Sequence, residues 1–154
     1  MNDQQNKFAD IEQKFSERRE YWMNWITEMN KCLKDIDNLV TLQANVYTKR
    51  QEAVENYHSL AATTAKWVKV YKEKYAVLYK DIRMVKTAQG ATTYMFPTEA
   101  AIRDQIEAQL SDEKYLIDIL ESHLNYLDGT IKTIDGIIYA IQNRIKIEEI
   151  KIGR

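Results

Sequence analysis

Apolar side chains recur every three or four residues along most of the chain, which is the spacing of one face of an α-helix. In the first half this seam runs from Phe8 to Tyr71, where its phase slips by one residue before it continues to Val85. A second seam runs from Ile102 to Ile152. Sustained seams of this kind are typical of coiled-coil packing. The sequence therefore predicts an all-α fold, with long amphipathic helices in a hairpin or bundle.

Helix-breaking residues are scarce, because the 154-residue chain holds one proline and four glycines. The polar segments at 29–38 and 59–67 favour a helix break near 30–38 or near 59–64 over one continuous rod. The clear loop follows Gly90, and Thr98 is placed to cap the next helix.

These signals divide the chain into an N-terminal helical extension and a second helical region. We expect the extension at 1–60 and the second region at 61–154, the latter made of a basic helix at about 61–89, a loop at 90–97 and a C-terminal helix at about 98–152.

The net charge of −1 hides an uneven distribution. Residues 66–86 hold seven basic and two acidic side chains, whereas the segments on either side are acidic. On a helix that turns 100° per residue, most of these cations share one side, opposite the apolar seam. The candidate anion-binding residues are Lys66, Lys69, Lys72, Lys80, Arg83 and Lys86.

Aromatic residues accompany the basic segment. Tyr79 borders the cationic side and is the aromatic best placed to stack on an unpaired base, whereas Trp67, Tyr71 and Tyr75 are interpreted as core. A charged face that only keeps the helix solvated is the alternative interpretation of the whole pattern.

Catalytic and metal-binding motifs are not found in the sequence. His58 and His123 are far apart and lack the spacing of a metal site, and no phosphate-binding or nucleophile motif is present. Cys32 is the single cysteine, which fits a reducing compartment. With no signal peptide and no uninterrupted apolar span, we expect a non-enzymatic protein without cofactor or metal, in the cytoplasm and not in a membrane.

Two glycines, Gly129 and Gly136, interrupt the second seam region at a cost of about 1 kcal/mol each relative to alanine. With Thr133 and Ala140 they form a stripe of small side chains on one side of the helix. Such a stripe lets a second helix approach closely, and the packing gained offsets the glycine cost. A local kink or an unstable helix end is the alternative.

The second half of the chain combines the turn Phe96-Pro97, the segment 124–127, Lys132-Thr133-Ile134, and the spacing of Tyr139, Ile141, Asn143 and Ile145. Through these features it resembles, over about 61–152, the UvsY recombination mediators of tailed phages. Ile137 and Gln142 stand where the family commonly carries arginine and lysine.

The resemblance implies a homo-oligomeric ring that binds single-stranded DNA and helps to load a RecA-like recombinase onto strands occupied by single-strand-binding protein. It implies that the basic helix lines the DNA path. It also implies a subunit interface made by the isoleucine seam and the small stripe, namely Leu124, Leu127, Gly129, Ile131, Thr133, Ile134, Gly136, Ile138, Ala140, Ile141 and Ile145. The alternative function is a structural coiled-coil or assembly adaptor, such as a virion or scaffold component, with no nucleic-acid role.

Overall fold

The protein is all-α in a computed structural model that describes the backbone of residues 3–34, 38–88 and 98–153, and the side chains of residues 6–34, 38–82 and 98–153. The helices are α1 (Asp3–Cys32), α2 (Leu39–Ala88), α3 (Glu99–Gln109) and α4 (Ser111–Ile152). No strand occurs in these ranges. The predicted fold class is therefore confirmed. None of the helices, within the residues described, is long and apolar enough to cross a membrane.

The first break lies in the polar segment after α1. The Leu33 N–H donates to the Met29 carbonyl, four residues earlier, at 3.1 Å. The Lys34 N–H donates to the Lys31 carbonyl, which is only three residues earlier. α2 then starts where the Leu42 N–H donates to the Asn38 carbonyl at 2.9 Å. This position suits asparagine, which is among the best helix-capping residues. The predicted break near 30–38 is confirmed.

The alternative break near 59–64 is wrong, because α2 continues unbroken from Leu39 to Ala88. Ser59, Thr63 and Thr64 are tolerated in the helix because no glycine or proline accompanies them. Thr64 is buried at a position of the apolar seam. The basic segment therefore belongs to a helix that begins more than twenty residues before 61.

The C-terminal helical region is divided, which the sequence analysis did not expect. α3 ends at Gln109, and the Leu110 N–H still donates to the Ile106 carbonyl at 2.9 Å, while the Lys114 N–H returns to the Leu110 carbonyl at 3.0 Å. Asp112 and Glu113 follow in the first turn of α4, where negative charge is favoured by the helix dipole. The spacing of apolar residues passes through this turn unchanged, so periodicity alone gave no sign of it.

Thr98 caps α3 as predicted. Its side-chain oxygen accepts a hydrogen bond from the Ala101 backbone N–H at 3.2 Å. The predicted loop 90–97 lies outside the described residues.

The chain divides into two compact units. Unit 1 comprises Met1–Leu60 and Ser122–Arg154, and unit 2 comprises Ala61–Glu121. Residues 1–60 are therefore not a separate extension, because they share a core with the second half of α4. Sequence periodicity predicts that each helix has an apolar face, but it does not say which helix covers that face.

Unit 1 is a three-helix packing of α1, the first part of α2 and the second part of α4. Its buried core consists of Trp22 from α1, Leu39, Leu42, Val46 and Ala53 from α2, and Leu127, Ile134, Ile137, Ile138 and Ile141 from α4. Polar contacts join the same helices. Arg50 of α2 pairs with Asp135 of α4 at 2.5 Å, and the Tyr126 hydroxyl donates to the Arg19 carbonyl at 2.9 Å.

Unit 2 packs α3 against the second part of α2. Ile102, Ile106 and Leu110 are buried from the α3 side, and the α2 residues packed against them are Tyr71, Tyr75, Leu78, Tyr79 and Ile82. Lys74 of α2 forms an ion pair with Glu113 of α4. α3 and α4 are joined by a 3.6 Å pair between Glu107 and Lys114.

Candidate nucleic-acid interface

The second part of α2 has one packed side and one exposed side. Its packed side, which includes Tyr71, Tyr75 and Leu78, lies on α3. Taking Lys66 as zero and about 100° per residue, these packed positions span roughly 120–220° around the helix. We define the basic face as the exposed lysines Lys66, Lys69, Lys72 and Lys80. They fall at roughly 240–360°, on the other side of the helix.

The cations of the basic face are available to an anionic ligand. Lys69 has a neighbour of opposite charge, Glu73, at 3.8 Å, and their side chains are 77% and 65% exposed. A pair this exposed and this long contributes little free energy, so a phosphate can replace Glu73 at small cost. Lys74, in contrast, turns away to Glu113, and the hydrogen bond that it donates lowers the pKa of that carboxyl.

Two further residues predicted to contact DNA lie later in the same helix. Arg83 and Lys86 lie in the backbone of α2, but their side chains are outside the described residues.

Tyr79 is not placed to stack on a base, which corrects the prediction. Its ring is half-buried and packs on the α3 cluster. Its hydroxyl lies 3.0 and 2.9 Å from the two carboxylate oxygens of Glu99. The helical wheel placed Tyr79 at the border of the charged side, but α3 covers that border.

Trp67 differs from its prediction in the opposite direction. It was interpreted as core, yet its side chain is 38% exposed, beside Lys66 in sequence. An exposed tryptophan is the kind of residue that stacks on unpaired bases. The apolar spacing assigned Trp67 to the core. Trp67 lies at the edge of the packed arc, however, and this position was the sequence signal that another helix need not cover it.

Negative charge is concentrated elsewhere in unit 2. Residues 99–121 hold seven acidic and two basic side chains, in α3 and the first turns of α4. Among the α2 tyrosines on this side, the pKa of Tyr71 is raised by burial and then by the charge of Glu107. An anion is therefore attracted to the basic face and repelled from the α3 side of the same unit.

The predicted subunit interface separates into two parts. The seam is used within the chain, because Leu127, Ile134, Ile138 and Ile141 are buried in the unit 1 core and Leu124, Ile131 and Ile145 are half-buried. This corrects the expectation that the isoleucine seam faces another subunit. Its apolar face is covered by α1 and α2 of the same chain.

The small stripe, in contrast, is open. A Cβ added at Gly129 or Gly136 meets no heavy atom within 4 Å. Thr133 is exposed, and its hydroxyl donates to the Gly129 carbonyl at 2.9 Å. Ala140 is half-buried, and Tyr139 beside it is 66% exposed. α4 runs through both glycines without a break, and the space beside them is not filled by the described part of this chain.

The described side chains form no candidate metal site. They contain no group of three His, Cys, Asp or Glu residues that could hold a metal ion. His58 is exposed and edge-on to Tyr57, whereas His123 is buried in unit 1.

Comparison with known proteins adds no family assignment. No family model matches the chain, and neither a curated protein nor a solved structure is detectably similar to it.

Proposed function

We propose that the protein binds single-stranded DNA through the basic face of α2 and acts without catalysis as a recombination mediator. In this function it helps a RecA-like recombinase to displace single-strand-binding protein, as the resemblance to the UvsY family implies. The observation that carries the proposal is the exposure of Lys66, Lys69, Lys72 and Lys80 on the side of the helix turned away from α3.

The chemistry of such a face fits a phosphate backbone. Lysine ammonium groups on one side of a helix meet successive phosphates without reading the bases, so binding is expected to be independent of sequence. Each neutralised phosphate on a single strand releases about 0.7 counterion. Three to four contacts per subunit then correspond to a log–log salt slope of about −2 to −3.

A salt titration of oligonucleotide binding tests the proposal. Fluorescence anisotropy with a labelled single strand of mixed sequence should give a slope of about −2 to −3 per bound subunit, and an acidic peptide of equal charge should compete poorly. Absence of binding at low salt contradicts the proposal. Equal competition by the peptide would instead indicate that the face serves an acidic protein.

An assembly role is the second candidate, and a different observation favours it. The stripe at Gly129, Thr133, Gly136 and Ala140 offers a second helix a place on α4. Close approach of this kind is compatible with a homo-oligomeric mediator and equally with a structural adaptor. The DNA-binding test separates these two functions, and the stripe is tested by substitution.

Gly136→Leu is expected to lower the oligomer mass while helix content is retained. The chain's own fold accepts the larger side chain, because the added Cβ points into open space, whereas a neighbouring helix seated on the stripe is pushed away by overpacking. Native mass spectrometry and circular dichroism measure the two effects.

Gly136→Ala is the matched control. It adds one methyl group in the helix and is expected to raise stability by about 0.5–1 kcal/mol without dissociating subunits. An unchanged oligomer mass in the leucine variant contradicts the use of this stripe in assembly.

A further inference from the structure

His123 is a buried polar residue without a hydrogen-bond partner. Its side chain is 2% exposed, and within the described part of the chain neither Nδ1 nor Nε2 is hydrogen-bonded. A buried imidazole in this state costs free energy even when neutral. A charged one costs much more, because a buried charge without a partner is strongly disfavoured.

Aromatic rings enclose the imidazole in unit 1. Phe15 of α1 stacks on it with a centroid distance of 4.1 Å and an angle of 10°. The ring of Tyr126, also on α4, has its centroid 5.9 Å from that of His123, with an interplanar angle of 13°. Burial is the largest cause that lowers the pKa of His123, and two charged groups of α1, Arg19 and then Arg18, lower it further. The groups that shift this pKa include no carboxylate that would stabilise an imidazolium.

The described first part of α1 contributes no fully buried side chain to the core of unit 1. None of the described side chains at 6–21 is fully buried, and Trp22 is the first core residue. Phe8, Ile11 and Phe15 are half-buried. We define residues 6–18 as the arm. Segments with few buried apolar contacts open at lower free energy than the core of the same protein.

We propose that the arm is a proton-sensitive strap, which lies closed on α4 through the stack of Phe15 on His123 and is released when His123 takes up a proton. Protonation adds a positive charge to an apolar, unpartnered site that already faces two arginines. Opening the arm exposes the imidazolium to water. This inference is independent of the proposed DNA binding, because it concerns only contacts inside unit 1.

The direction and size of the effect follow from proton linkage. Burial lowers the pKa of His123 from 6.5 to about 4 in the closed state. The open state has the ordinary pKa, binds more protons, and is therefore favoured as the pH falls from 6.5 towards 4. With these two values, the ratio of open to closed arm is expected to rise about 30-fold between pH 8 and pH 5.

Hydrogen exchange of the full chain tests the proposal. In peptides that cover the arm, the exchange rate should be about 30-fold higher at pH 5 than at pH 8, once the exchange times are corrected for the intrinsic pH dependence. Peptides from the core around Val46 should change much less. An arm whose corrected exchange is the same at pH 8 and pH 5 overturns the proposal.

Two histidine variants assign the effect to one residue. His123→Phe keeps a stacked ring and removes both unpartnered nitrogens, so the arm should stay closed at pH 5. His58→Gln removes the other histidine and should behave as the wild type. A pH response in His123→Phe equal to that of the wild type excludes His123 as the sensor.

A measurement on the unaltered protein keeps the test independent of how the variants fold. Nuclear magnetic resonance of histidine labelled with carbon-13 should show the His123 ring titrating below 6.5, between that ordinary pKa and the closed-state pKa of about 4. Titration of that ring at or above its ordinary pKa would overturn the proposal.

Discussion

Reversing Lys69, Lys72 and Lys80 to glutamate together is expected to weaken single-stranded DNA binding by about 100-fold or more at 0.1 M salt. Loss of three phosphate contacts removes about 2 from the log–log salt slope, and extrapolation from 1 M to 0.1 M salt converts this into two orders of magnitude. Repulsion by the new carboxylates adds to the loss. Anisotropy measured over a range of salt concentrations gives both the affinity and the slope.

A matched variant separates the location of the charges from their number. Lys31, Lys132 and Lys151 are exposed lysines of unit 1, and each has a carboxylate partner three or four residues away. Their reversal changes the net charge by the same amount and should leave binding within a few-fold of the wild type. Equal losses in the two triple variants would show that only overall charge matters, and the basic face would lose its role.

A variant of Tyr79 can be compared with the wild type in the same DNA-binding assay. Tyr79→Phe should leave binding unchanged, because the hydroxyl contacts Glu99 and the ring packs on α3.

Trp22→Ala is expected to cost about 3–5 kcal/mol in the free energy of unfolding. Trp22 is 1% exposed and is the α1 residue buried in the core that α2 and α4 complete. It also packs edge-on to Trp25 at 6.2 Å. Removing the indole leaves a cavity that the surrounding helices fill only in part. Urea denaturation followed by circular dichroism measures the loss.

Trp67→Ala is the matched control for this prediction. The same indole is removed, but from a site that is 38% exposed, so a clearly smaller loss is expected because less apolar surface returns to water. If both variants lost the same stability, Trp22 would not have the central place in the core that the packing gives it.

Local features of this protein were predictable from the sequence because neighbouring residues determine them. The helical class follows from apolar spacing and from the lack of glycine and proline before residue 90. The cap at Thr98 and the break before Leu39 follow from polar residues at helix ends. The cations of the basic face share one side of α2 because 100° of rotation per residue places them there.

The partners of each face were decided only by the tertiary structure. Periodicity identifies an apolar face but not the helix that covers it, so it could not show that α1 and α2 bury the isoleucine seam of α4 while the small stripe stays open. Tyr79 finds Glu99 and the α3 cluster, and His123 is enclosed by a ring from α1. Burial of a single side chain depends on residues distant in sequence. Contacts with such residues keep Tyr79 from stacking on a base and place the imidazole of His123 where a proton is disfavoured.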